Sequence, residues 1–147
     1  MRDQGLIVPV LRWRYLRPMS IPQHSRLVAI VDDDESVQRS LQDLIESDGL
    51  SALCFGSAEQ FLDSEARNTA ACLIADIRMP GMSGLELQAT LNAERCRIPV
   101  IFITAHGDAE IRPLAMREGA VEFLSKPFDD EVLLEAVKAA LDRRRNA

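Results

Sequence analysis

Cys72-Leu73-Ile74-Ala75-Asp76-Ile77-Arg78-Met79-Pro80-Gly81-Met82-Ser83-Gly84-Leu85 is the stretch on which the fold turns. Four apolar residues run unbroken, end on a carboxylate, and give way to a loop marked by Pro80, Gly81 and Gly84. A short continuous apolar run of this kind reads as a strand buried on both faces, as strands of parallel sheets are. Leu87 and Leu91 then predict a helix. The unit is strand, acidic end, loop, helix, and variants of it recur on both sides.

Upstream, Leu27 to Val31 is a strand that ends in Asp32-Asp33-Asp34-Glu35. Val37, Leu41, Leu44 and Ile45 follow at helical spacing, and Gly49 is placed to stop that helix. Leu50 to Phe55 predicts a second strand, and Ser57 with Gln60 fits a capping box that opens a helix through Phe61 and Leu62. Downstream, Pro99 to Ile103 is a strand ended by Thr104, and a shorter helix closes at Arg117-Glu118-Gly119. Pro113 would break that shorter helix if it started at Asp108, so it is expected to begin near residue 110 or later, or to bend. Val121 to Leu124 is the fifth strand. Lys126-Pro127 follows, and Asp129 can cap a last helix with Leu133, Val137, Ala140 and Leu141 on one face. Five strands alternating with five helices make a (βα)₅ pattern, for which a doubly wound parallel sheet covered on both sides is expected.

The composition is consistent with this pattern and narrows the function. The chain has 147 residues, 47% of them hydrophobic, enough for one ordinary domain. A net charge of −6 argues against nucleic acid as a direct partner. No apolar run reaches the length of a membrane span. Cys54, Cys72 and Cys96 have no CxxC spacing, are read as small buried hydrophobes, and point to a reducing, cytoplasmic compartment. Residues 1–25 stand apart: four arginines against one aspartate give +3, and they hold the only Trp and the only Tyr. This extension is expected to be flexible, with Trp13 and Tyr15 as docking anchors or translation starting at Met19 as the other readings. Residues 26–147 form the domain and carry −9. Arg143, Arg144 and Arg145 are read as a solvated helix end.

In a doubly wound sheet, ligands bind beyond the carboxyl ends of the strands, where the strand order reverses. Strand one delivers Asp32 and Asp33 there, strand three Asp76, strand four Thr104, and Lys126 follows strand five. Two ionised carboxylates about 4 Å apart repel by roughly 4 kcal/mol at an effective dielectric near 20. A hard divalent cation relieves this, and all-oxygen ligands suit Mg²⁺. A carboxylate can then act as nucleophile on phosphorus and form an acyl phosphate. Asp76 stands alone at its strand end beside a Pro/Gly loop and is the expected nucleophile. Lys126 and Thr104 are placed to bind the arriving phosphoryl oxygens. Asp34 and Glu35 are read as first-turn acids that suit the helix dipole.

Together, Val31-Asp-Asp-Asp-Glu35, Asp76 to Leu85, Ile103-Thr-Ala-His-Gly-Asp108 and Gly119 to Phe128 resemble a two-component response regulator receiver domain of the FixJ-like group, over about residues 26–143. The resemblance implies a flavodoxin-like three-layer sandwich. It also implies a phosphoryl group taken by Asp76 from a sensor histidine kinase. Asp33, Asp76 and the backbone carbonyl of Arg78 would bind Mg²⁺, with Asp32 acting mainly through water and Mn²⁺ as a substitute. The Lys126–Pro127 bond is expected to be cis. Thr104 and Phe123 match the family's switch pair. On phosphorylation the hydroxyl would move to the phosphate and the ring would turn inward, remodelling the surface of the fourth helix, fifth strand and fifth helix, where a downstream protein or a second copy would dock. Arg78 and His106 are expected to flank the hydrolytic water and tune the phosphate's lifetime. Such a switch turns over no separate metabolite. A single-domain regulator is expected. The alternatives are an adaptor that keeps the fold without being phosphorylated, and a receiver fragment of a longer transcriptional regulator. A metal-dependent aspartyl phosphatase is disfavoured, since Arg78 stands where its second acid would be.

Overall fold

The computed structural model describes residues 26–105 and 108–146. Five parallel strands, β1 (Leu27–Val31), β2 (Ser51–Phe55), β3 (Cys72–Asp76), β4 (Val100–Thr104) and β5 (Glu122–Ser125), form one sheet in the order β2-β1-β3-β4-β5. Among the described residues there are six helices: α1 (Glu35–Ser47), α2 (Ala58–Leu62), α3 (Ala66–Thr69), α4 (Gly84–Ala93), α5 (Arg112–Arg117) and α6 (Asp130–Asn146). The expected second helix is thus followed by an extra single-turn helix, α3, which carries no apolar repeat long enough to announce it.

Side chains of a strand alternate faces, and the core divides accordingly. Ala29, Val31, Leu73, Ala75 and Phe102 point to one side, where they meet Phe61 of α2, Ala66 of α3, Leu87 and Leu91 of α4, and Ala115 of α5. Val28, Ile30, Ile74, Ile101 and Ile103 point to the other, against Leu41 and Ile45 of α1 and Leu133, Val137 and Ala140 of α6. The central strands β1, β3 and β4 are buried on both faces, as their unbroken apolar runs require. The edge strand β2 is only half covered, with Leu53 46% exposed. The chain is therefore the doubly wound, three-layer sandwich expected from its pattern.

Local signals set the element ends. Gly49 follows α1 with φ +83°, and Gly119 follows α5 with φ +108°, conformations a side chain disfavours. Asp129 Oδ1 accepts from the Glu131 N–H at 2.9 Å and caps α6. Asp34 is the N-cap of α1 and accepts from the Ser36 N–H at 2.9 Å, a sharper role than the first-turn acid expected of it. Ser57 Oγ accepts from the Gln60 N–H, but Gln60 Oε1 returns to the Gly56 N–H, one residue short of a closed capping box. The closed box lies instead at Ser83 and Glu86, at the start of α4. A 3₁₀ turn over Ala109–Ile111 precedes α5, and Pro113 falls in the helix's first turn, where its missing N–H costs nothing. Of the cysteines, Cys72 is fully buried, and burial pushes its thiol up to about 12. Cys54 and Cys96 are only partly covered, contrary to the buried reading.

Candidate phosphoacceptor and metal site

The strand order reverses between β1 and β3, which opens a crevice beyond their carboxyl ends. Asp32 and Asp33 leave β1 there, and Asp76 is the last residue of β3. One carboxylate oxygen from each lies within 4.8 Å of the others. Asp32 is 3% exposed, Asp76 half-buried and Asp33 exposed, so the cluster opens to solvent on one side. Asp32 is fixed from below, accepting from the Asp34 N–H at 2.9 Å, while its carbonyl accepts from Gln38 Nε2 at 2.7 Å.

Asp32 and Asp76 resist ionisation. Burial, and next the charge of Asp32, push Asp76 up to about 6. Asp32 is raised as well, first by burial and then by its acidic neighbours Asp33 and Asp34. The Lys126 ammonium acts in the opposite direction on both. Three hard oxygen donors that converge and repel fit a divalent cation of the Mg²⁺ type, which takes one or two carboxylates and retains waters.

The loop after Asp76 is held from several sides. Asp76 Oδ1 is 3.4 Å from the Arg78 N–H, and Gly84 N–H donates to the Ile77 carbonyl at 2.8 Å. Glu59 of α2 accepts from the Met82 N–H at 3.1 Å. Gly81 has φ +76°, and a β-carbon there would sit 2.9 Å from the same carboxylate.

Lys126 follows β5, its N–H donating to the Thr104 carbonyl at 2.9 Å, and the Lys126–Pro127 peptide is cis. Thr104 is fully buried at the end of β4, and its hydroxyl donates to Asp108 Oδ2 at 2.5 Å. Arg78 closes on the same carboxylate, with Nε 2.9 and 3.2 Å from its two oxygens and a terminal nitrogen at 2.6 Å. Asp108 is thus a site residue that sequence reading passed over. Its position in the Ile103–Asp108 motif was the available signal, but nothing in one sequence links it to Arg78, 30 residues away.

Phe123 is 5% exposed, with its ring centroid 6.3 Å from that of Phe102. The expected inward turn therefore has no outward starting point here, because the ring already occupies the core. His106 lies outside the described residues, as do residues 1–25, and nothing is described of the Arg144 and Arg145 side chains.

Residues 28–138 match the family model of the response regulator receiver domain. Over 119 residues the chain is 49% identical to Nodulation protein W of Bradyrhizobium diazoefficiens, covering 81% of this chain and 52% of that protein. It is 46% identical over 126 residues to the response regulator protein TodT of Pseudomonas putida, covering 86% of this chain and 55% of that one. It is 44% identical, also over 126 residues, to the transcriptional regulatory protein FixJ of Azorhizobium caulinodans, with coverage of 86% and 57%. The chain therefore spans about half the length of the curated relatives it matches. Among solved structures, response regulator StyR superposes with a TM-score of 0.77 at 44% identity, covering 82% of this chain and 61% of that one. The FixJ-N structure gives a TM-score of 0.72 at 42% identity, with coverage of 79% and 93%.

Proposed function

Because this chain belongs to the response regulator receiver domain family, we propose that it is the phosphoacceptor switch of a two-component phosphorelay, with Asp76 taking the phosphoryl group from a phosphohistidine on a sensor kinase. The observation that carries this reading is the convergence of Asp32, Asp33 and Asp76 at the sheet's reversal point, opposite Lys126. An Asp76 carboxylate oxygen attacks phosphorus, the phosphorus–nitrogen bond breaks, and the imidazole leaves with the bonding pair and takes a proton. Lys126 neutralises one equatorial oxygen of the transferring group, and the Thr104 hydroxyl donates to another. Asp33, Asp76 and the Arg78 carbonyl would hold Mg²⁺, with Mn²⁺ as a substitute, and Asp32 would reach it through water. When bound, the ion supplies positive charge against the three carboxylates and the phosphoryl oxygens.

The receiver acts on no metabolite other than its phosphodonor and works in the cytoplasm. Among the described residues no helix is long and apolar enough to cross a membrane. Its output passes through the surface of α5, β5 and α6, to a protein target or a second copy. Leu114 of α5 and Val132 of α6 stand 41% and 44% exposed there, large apolar side chains without cover. Arg78 and His106 tune the phosphate's lifetime; an unchanged decay rate in the double alanine variant would remove that role.

Intact-protein mass spectrometry tests the central reading. After incubation with Mg²⁺ and acetyl phosphate, the chain is expected to gain one phosphoryl group. The adduct should be absent without Mg²⁺ and absent from Asp76→Asn. No adduct, together with no Mg²⁺ binding and no beryllofluoride complex, would favour an unphosphorylated adaptor.

A further inference from the structure

Asp108 stands at the N-cap position of the 3₁₀ turn Ala109–Ile111, yet its side chain makes no capping hydrogen bond. The carboxylate turns inward instead, is 4% exposed, and spends its oxygens on Thr104 and Arg78. The Arg78 guanidinium forms an ion pair with this carboxylate at 2.6 Å, so the threonine meets an acceptor already held by a cation. A hydroxyl has one proton to donate. The Thr104 hydroxyl therefore serves either Asp108 or a phosphoryl oxygen on Asp76, and the bond to an ionised acceptor is of the stronger kind.

We propose that Asp108 is a positioning residue that competes with the phosphoryl group for the Thr104 hydroxyl. It thereby holds the unphosphorylated chain in its resting arrangement. The inference rests on the reading of Asp76 as phosphoacceptor and Thr104 as phosphate ligand. Arg78 reinforces the hold from the other side, because it leaves the backbone two residues beyond Asp76 and closes on the same carboxylate. Release of Thr104 reaches the output face through the chain itself. The Asp108 carbonyl accepts from the Ile111 N–H at 3.0 Å, so a displaced Asp108 shifts the 3₁₀ turn and the start of α5. With the Phe123 ring already buried, the hydroxyl is the half of the switch pair left to move.

A double-mutant cycle tests this on the full chain, with beryllofluoride plus Mg²⁺ as the phosphoryl mimic and titration calorimetry as the readout. Hydrogen bonds to charged groups are strong enough that Asp108→Asn is expected to tighten the mimic by about tenfold. Asp108→Ala should do at least as much. In a Thr104→Ala background, Asp108→Asn should shift the affinity by less than about twofold, because the hydroxyl under competition is gone. A merely structural Asp108 would act alike in both backgrounds, and that result would overturn the proposal. So would a folded Asp108→Asn, verified by its amide spectrum, that binds the mimic no tighter than the wild-type chain. If the wild-type chain itself binds no mimic, the phosphoacceptor reading fails first and takes this inference with it.

Discussion

Gly84, the first residue of α4, lies against the backbone of Asp76 so closely that a β-carbon there would fall well inside contact with the Asp76 carbonyl oxygen and 3.0 Å from Ile77 Cα. The obstructing atoms are backbone and cannot swing aside. Helix propensity favours alanine over glycine by about 1 kcal/mol, but forced overpacking typically costs about 1–3 kcal/mol and displaces the backbone that aims Asp76. Gly84→Ala is expected to lower stability in urea denaturation despite its better propensity, and to slow adduct formation with acetyl phosphate. A variant with unchanged midpoint and rate would show that the loop yields without cost.

The pH dependence of the metal-free chain should run opposite to ordinary acid unfolding between about pH 4 and 6. Asp76, at about 6, and Asp32 are both raised, so the folded chain keeps protons there that the unfolded chain has released. Stability contributed by these groups falls as pH rises through that window, by at most about 3 kcal/mol for Asp76. Asp34 and Asp108 are lowered, and their contribution is lost only at more acidic pH. Thermal unfolding with a chelator present should therefore give a higher Tm near pH 5 than near pH 7.5. The difference should shrink in Asp76→Asn and on adding Mg²⁺.

Asp32→Asn should separate folding from metal binding. Removing a 3%-exposed charge that faces two other acids relieves repulsion, so the metal-free variant is expected to be more stable at neutral pH. Under the proposed role of Asp32 as an outer-sphere ligand, its loss should weaken Mg²⁺ binding by roughly 10–100-fold in calorimetric titration. A loss of both stability and affinity would mean that the bond from the Asp34 N–H to the Asp32 carboxylate, rather than the repulsion, dominates at this position.

Ser83 and Glu86 close a reciprocal box at the start of α4, with bonds of 3.1 and 2.9 Å. Ser83→Ala is expected to cost about 1 kcal/mol in chemical denaturation. Because α4 begins where the loop after Asp76 ends, amide exchange should quicken across residues 77–86 rather than along the whole helix.

The strands, their parallel order of burial and the acidic edge were written in the chain. Apolar runs at Leu27–Val31, Cys72–Ala75 and Pro99–Ile103 can be satisfied only between two helical layers, and each ends on a polar residue with nowhere to go but the sheet's rim. Pro113 likewise foretold the late start of α5, since its missing N–H is harmless only in a first turn. Three further relationships were left to the tertiary structure. The Arg78–Asp108–Thr104 chain joins the loop after β3 to the end of β4 and the loop beyond it through side-chain geometry, which no local periodicity encodes. The burial of the Phe123 ring depends on the space left beside Phe102, a matter of packing volume. The elevation of Asp76 depends on how deeply the crevice seats it beside Asp32. Sequence pattern decides which residues must be buried and which strand ends must meet, because burial and period are local demands. Which donor holds which acceptor is decided only when distant loops are brought within 3 Å of each other.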